Sequence, residues 1–76
     1  MVSVQNAPHR VRQGLLCFWY NREGNEEMPE AYRKEPFWRC LELCKYDAAS
    51  DELVMGPIRV KAPTEEYLRA RGLMND

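Results

Sequence analysis

The sequence predicts an α+β fold, a small three-stranded antiparallel sheet with a C-terminal helix packed on one face. Three observations lead to this prediction. Runs at residues 15–20, 37–46 and 53–61 have the composition of strands. A polar turn at residues 47–52 connects the second run to the third, and residues 64–71 carry signals for both ends of a helix.

The first predicted strand is the apolar and aromatic run Leu-Leu-Cys-Phe-Trp-Tyr at residues 15–20, which the polar residues 21–25 close. Successive side chains of a strand point to opposite faces of the sheet. Both faces of this run are apolar, so we expect the strand to be central, or to be covered by a helix on one face and a partner on the other.

Residues 37–46 fit two structures. Phe37, Cys40, Leu41 and Cys44 follow the spacing of a helical stripe, whereas the turn chemistry that follows them is typical of a hairpin loop. We take the hairpin as the stronger signal and predict a strand. The alternative is a helix at residues 37–46 that lies on a two-stranded sheet.

The last two elements have clearer signals. Gly56-Pro57 interrupts the alternation of residues 53–61, and proline cannot donate to a sheet, so this strand lies at an edge or carries a bulge. In the helix, Thr64 is a suitable N-cap, and Gly72 is placed for the C-terminal cap.

A chain of 76 residues with a formal net charge of −1 is one domain at most. We divide it into a flexible basic arm at residues 1–14 and a single small α+β domain at residues 15–76. Near neutrality is untypical of a histone-like protein and of an acidic mimic of nucleic acid. So small a core also leaves little room for an enclosed catalytic chamber.

Localisation is expected to be cytoplasmic. The longest apolar run is far shorter than the ~20 residues of a spanning helix, and the first 14 residues lack the apolar region of a signal peptide. Three cysteines cannot form an even disulfide set, so they are expected to be reduced thiols. We therefore expect no membrane partner.

No catalytic or cofactor motif is present in the sequence. The single histidine, His9, stands in the arm with nothing to orient it, and the four glycines form no phosphate-binding loop. A zinc set can be drawn from His9, Cys17, Cys40 and Cys44, but Cys40 and Cys44 lie ~13 Å apart on a strand and share a face only on a helix. We expect no enzyme, no cofactor and no small-molecule substrate.

The eight aromatic side chains outnumber what so small a core conceals, and tryptophan is rarely fully buried. Tryptophan, tyrosine and arginine are also enriched in binding hot spots. The candidate partner-binding residues are Arg10, Arg12, Trp19, Tyr20, Trp38, Arg39 and Arg59.

We therefore expect a non-enzymatic protein-binding regulator that docks on a larger assembly. Proteins of this size without catalytic motifs include phage and mobile-element accessory factors, for which a host machine such as RNA polymerase is a target. One alternative is a single-stranded nucleic-acid-binding protein, with Trp19, Trp38 or Tyr20 as stacking platforms and the arginines along the backbone. A second alternative is a zinc-stabilised structural module.

Overall fold

Four short strands form one antiparallel sheet in the computed structural model, which describes residues 1–73. In spatial order the strands are β1 (Val2–Ser3), β2 (Lys45–Asp47), β3 (Glu52–Met55) and β4 (Ile58–Lys61). The α-helices of the described part are α1 (His9–Tyr20), α2 (Glu30–Arg33), α3 (Phe37–Leu43) and α4 (Glu65–Ala70). The predicted α+β class is confirmed, and the sheet has one strand more than predicted.

The two faces of the sheet differ in chemistry. Tyr46, Leu53 and Val60 stand in register across β2, β3 and β4, and all three pack in the core. Because side chains alternate along a strand, their neighbours Lys45 and Arg59 lie on the outer face. The sheet is therefore apolar on the side that faces the helices, whereas on the other side the charged residues flank a single buried Val54.

The predicted third strand is a hairpin of two strands. Gly56 and Pro57 form the connection between Met55 and Ile58, which pair in the sheet. Gly56 has a φ of +63°, a conformation that glycine adopts without a steric penalty. The Gly-Pro interruption therefore marks a reversal of the chain, which adds the extra strand at the sheet edge.

Residues 15–20 are helical, so the prediction of a first strand there is wrong. Val11 and Leu15, one helical turn apart, are fully buried, and Phe18 and Trp19 continue the packing against the core. Apolar residues spaced three and four apart indicate a helix. This apolar repeat begins at Val11, in the segment that the sequence predicts to be a flexible arm. Residues 15–20 taken alone show only the apolar and aromatic composition of a strand.

Residues 37–46 are mostly helical, so the predicted strand is wrong for α3 and the helical alternative is correct there. Cys40 is buried, and Phe37 and Leu41 pack against the core, as the helical stripe indicates. Pro36 stands before the first turn, where a missing N–H costs nothing. The backbone becomes extended at Cys44, and only the last residues of the predicted strand, in β2, are extended.

The predicted C-terminal helix is confirmed as α4. The Thr64 hydroxyl accepts a hydrogen bond from the backbone N–H of Tyr67 at 3.1 Å, and Gly72 ends the helix with a φ of +73°. Leu68 is buried but lies outside the main core cluster. The chain just before α4 is held against α1, because Pro63 lies directly over Gly14.

The core gathers side chains from both halves of the chain. Its members include residues of α1, α3 and the sheet, with Met28 from the connection between α1 and α2. Residues 1–14 supply Val4, Ala7 and Val11 to this cluster, so the basic segment is packed as part of the same body. Among residues 1–73, no helix has the length and apolar character needed to cross a membrane.

Candidate protein-binding surface

Aromatic rings meet where the end of α1 lies beside the start of α3. The Trp19 ring contacts Phe37 at a centroid separation of 5.9 Å and Tyr20 edge-on at 5.8 Å. Trp38 follows Phe37 on α3. We refer to Trp19, Tyr20, Phe37 and Trp38 as the aromatic patch. Helix packing thus joins two aromatic pairs that are far apart in the sequence.

Trp19 is the fixed member of the aromatic patch. Its indole N–H donates a hydrogen bond to the backbone carbonyl of Glu35 at 3.0 Å. The Arg22 guanidinium lies 3.8 Å from the ring centroid and donates a hydrogen bond to the Trp19 carbonyl at 3.0 Å. Cation–π contact and hydrogen bonds therefore hold the indole in place before any partner arrives.

Tyr20 and Trp38 are the solvent-exposed members of the aromatic patch. Tyr20 is 71% exposed and Trp38 is 63% exposed. Each aromatic side chain of this size offers roughly 150–250 Å² for burial, and such rings dominate the energetics of interfaces. The Tyr20 ring contacts the immobilised indole directly, and Trp38 follows Phe37 along α3.

The four candidate arginines are not brought together. Arg10 pairs with Asp51 at 2.7 Å, and Arg39 pairs with Glu42 at 2.9 Å. Arg59 lies between two carboxylates on the outer face of the sheet, those of Asp47 at 3.1 Å and Glu52 at 3.0 Å. Arg12 is exposed on α1. Three of the four positive charges are therefore neutralised within the chain.

Arg10 belongs to a polar cluster that joins α1 to the turn between β2 and β3. Its guanidinium donates hydrogen bonds to both carboxylate oxygens of Asp51, to the Tyr46 hydroxyl at 3.2 Å and to the carbonyl of Pro63 at 3.1 Å. The Tyr46 hydroxyl donates to Asp51 at 2.6 Å. The hydrogen bonds from Arg10 and, to a smaller extent, from Tyr46 lower the pKa of Asp51. The hydrogen bond that Tyr46 donates to Asp51 raises the pKa of Tyr46.

The four residues of the zinc alternative lie in different surroundings. Cys40 and Cys44 are buried in the core, where the Cys40 thiol approaches the Tyr32 carbonyl at 3.3 Å and burial raises the pKa of Cys44 to about 12. Cys17 is half-buried on α1, and His9 is exposed at the start of that helix. Within residues 1–73 no three histidine, cysteine or acidic side chains gather as a metal-binding group.

Sequence reasoning did not select Phe37 or Arg22 for this surface. Phe37 supplies the ring that joins α3 to Trp19, and Arg22 covers one face of the indole. The spacing of Trp19 and Arg22 by three residues is a detectable signal once α1 is known to be a helix. The contact between Trp19 and Phe37 depends on the packing of two helices and has no local signal.

Comparison of the chain with protein-family models, with curated proteins and with solved structures found no match.

Proposed function

We propose that this chain is a non-enzymatic protein-binding regulator that docks on a larger assembly through the aromatic patch. The observation that supports the proposal is the exposure of Tyr20 beside an indole that is already immobilised, with Trp38 exposed on the neighbouring helix α3. Ordering side chains at an interface costs about 0.5–1.5 kcal/mol each, so a surface with a fixed centre retains more of its contact energy.

A protein partner fits this surface better than single-stranded nucleic acid. Stacking requires an open ring face, and the Arg22 guanidinium occupies one face of Trp19. Arg10, Arg39 and Arg59 already pair with carboxylates of the chain, so their contacts with phosphates would first require breaking those pairs. Affinity for nucleic acid depends on such contacts, because neutralised phosphates release counterions.

The partner class to test first is a host assembly such as RNA polymerase, acted on by a phage or mobile-element accessory protein. A regulator of this kind needs no active site, since occupying a surface of the assembly is sufficient. The exposed rings of the aromatic patch supply apolar area for that purpose.

The test is affinity capture from a lysate of the source cell, followed by quantitative mass spectrometry. The baits are the wild type, Tyr20→Ala, Trp38→Ala and Val2→Ala, the last of which shortens an exposed apolar side chain of β1 outside the aromatic patch. We expect one protein assembly to be retained by the wild type and Val2→Ala and lost from the other two, with thermal melting showing that all variants fold.

Salt and nuclease treatment separate the two classes of partner. A hydrophobically anchored complex is expected to persist from about 0.1 M to about 0.5 M salt, whereas binding to phosphates weakens steeply over that range. Recovery of nucleic acid alone, or equal recovery of every protein by all four baits, would refute the proposal.

A further inference from the structure

A groove of about 330 Å³ lies on the flank of α1 away from the Trp19–Phe37 contact. Its apolar walls come from three places: Phe18 on α1, Leu53 and Val60 on the sheet, and Tyr67 and Leu68 on α4. The volume is at the lower end of the range for binding pockets, and a mostly apolar lining is typical of them.

One border of the groove is the open edge of the sheet. Val60 and Lys61 of β4 line the groove, and β4 is the last strand of the sheet. Alternate residues of an antiparallel strand bond to opposite neighbours. The backbone N–H of Ala62 donates to the Asp51 carbonyl, on the side of β3. Val60 and Ile58, which stand two and four residues before Ala62, therefore also direct their backbone groups toward β3. The N–H and C=O groups of Arg59 and Lys61 therefore point outward.

We propose that this edge and groove bind an extended segment of a partner protein in which apolar and acidic residues alternate. The segment adds to β4 as a fifth strand and bonds with the outward backbone groups of Arg59 and Lys61. Its apolar side chains point to the inner side of the sheet and enter the groove next to Val60. Its acidic side chains fall on the outer face and pair with Lys61, since Asp47 and Glu52 already hold Arg59.

Charge selects this occupant over a second copy of the chain. Arg59 and Lys61 occupy the same face of β4 because they are two residues apart. In the antiparallel register centred on Val60, pairing of two β4 strands would place Arg59 of one copy opposite Lys61 of the other, and like charges directly opposite are destabilising. The Lys61 ammonium makes one hydrogen bond, to the Ser50 carbonyl, and has further N–H groups for a carboxylate.

The binding test uses a fluorescein-labelled peptide of about eight residues that alternates valine and glutamate, with a scrambled peptide of the same composition as control. Fluorescence anisotropy measures affinity, and NMR follows the backbone amides of the full chain. We expect only the alternating peptide to bind, with amide shifts concentrated at Arg59, Lys61 and the groove. Trp38→Ala is expected to bind the peptide as the wild type does, so this test is independent of the aromatic patch.

Two N-methylated peptides test strand addition without changing the protein. One carries methyl groups on the backbone nitrogens of the valines, and the other on those of the glutamates. In the bound peptide, the N–H groups of either the valines or the glutamates face β4, and the others point away from it. Methylation of the set that faces β4 is expected to weaken binding about tenfold or more, whereas methylation of the other set leaves the affinity close to that of the parent peptide.

Reversal of the charge at Lys61 tests whether the bound segment carries acidic side chains on the outer face. Lys61→Glu is expected to weaken the valine–glutamate peptide about tenfold and to bind a valine–lysine peptide better than the wild type does. Equal affinities for the alternating and scrambled peptides, equal effects of the two methylation patterns, or dimers that Lys61→Glu strengthens would each overturn the proposal.

Discussion

At the scale of single residues, Arg10 is the side chain whose assigned role changes most. Its charge and its place in a basic segment suggest a contact with a partner. In the structure it is 22% exposed and reaches Asp51, Tyr46 and the Pro63 carbonyl at once. A side chain committed to three internal acceptors acts as a structural link between α1 and the β2–β3 turn.

Replacement of Arg10 by alanine is expected to lower the free energy of unfolding by about 1–3 kcal/mol, because hydrogen bonds to a charged group are lost and Asp51 keeps its charge. Arg12→Ala is the matched control, since Arg12 is exposed on the same helix. Urea denaturation of both variants measures the difference. Equal stabilities for the two variants would contradict the structural role of Arg10.

The Asp51 carboxylate makes this link sensitive to acid. Its pKa is lowered in the folded state by hydrogen bonds from Arg10 and Tyr46. The contribution to stability is therefore complete above about pH 4, the unfolded value, and is lost as pH falls through the folded pKa. Asp51→Asn is expected to be less stable at neutral pH and to show a flatter decline of stability below about pH 4.

Urea denaturation at a series of pH values checks this expectation. Asparagine suits the position because it tolerates the left-handed conformation that Asp51 adopts, with a φ of +56°. Wild-type and Asp51→Asn curves that run parallel through the acid range would show that another group carries the pH dependence.

At the scale of elements, the close approach of α1 to the chain before α4 depends on Gly14. A Cβ atom at this position would lie 2.5 Å from Pro63 Cδ and 2.8 Å from Cγ. Alanine favours a helix over glycine by about 1 kcal/mol, whereas overpacking a fitted contact costs about 1–3 kcal/mol. Gly14→Ala is therefore expected to be destabilising despite its better helix propensity.

Thermal melting of Gly14→Ala and Gly24→Ala tests this contact. A Cβ at Gly24 meets nothing within 4 Å, so that variant is expected to melt close to the wild type. A Gly14→Ala variant at least as stable as the wild type would show that Pro63 moves aside without cost.

The elements differ in how far local sequence determines them. α4 was predictable because Thr64 and Gly72 cap it with bonds that lie within a few residues. α1 was not, because its apolar repeat crosses the boundary drawn between arm and domain, and its last six residues have strand-like composition. The first strand, Val2–Ser3, is too short for any periodic signal, and its pairing with β2 depends on the whole fold.

The candidate surface likewise has a part that local sequence reveals and a part that depends on tertiary packing. A surplus of aromatic residues is visible in composition, and it directs attention to Trp19, Tyr20 and Trp38. Which rings are held and which are exposed depends on the packing of α1 against α3, because the Trp19 indole bonds to the Glu35 carbonyl and contacts Phe37. Sequence therefore names the residue types, and tertiary structure assigns their roles.

At the scale of the whole molecule, the three free thiols report on how the core opens. Cys17 is half-buried beside the groove, whereas Cys40 and Cys44 are fully buried. Burial also raises the pKa of Cys44 to about 12, which keeps that thiol protonated. We expect a thiol reagent to modify Cys17 quickly in the native protein and the other two only through opening of the core.

Mass spectrometry after timed labelling measures this difference, with Cys17→Ser as the variant that lacks the fast reaction. All three thiols of the wild type are expected to react at once in denaturant. Rapid modification of all three thiols in the native protein would show that the packing of α3 does not protect Cys40 and Cys44 from the reagent.

The pairing of β1 with β2 brings the first residues of the chain against a strand near its middle. The hairpins β2–β3 and β3–β4 join strands that are close in sequence, whereas the pairing of β1 with β2 closes a much longer loop. We therefore expect β1 to join the sheet after the other three strands.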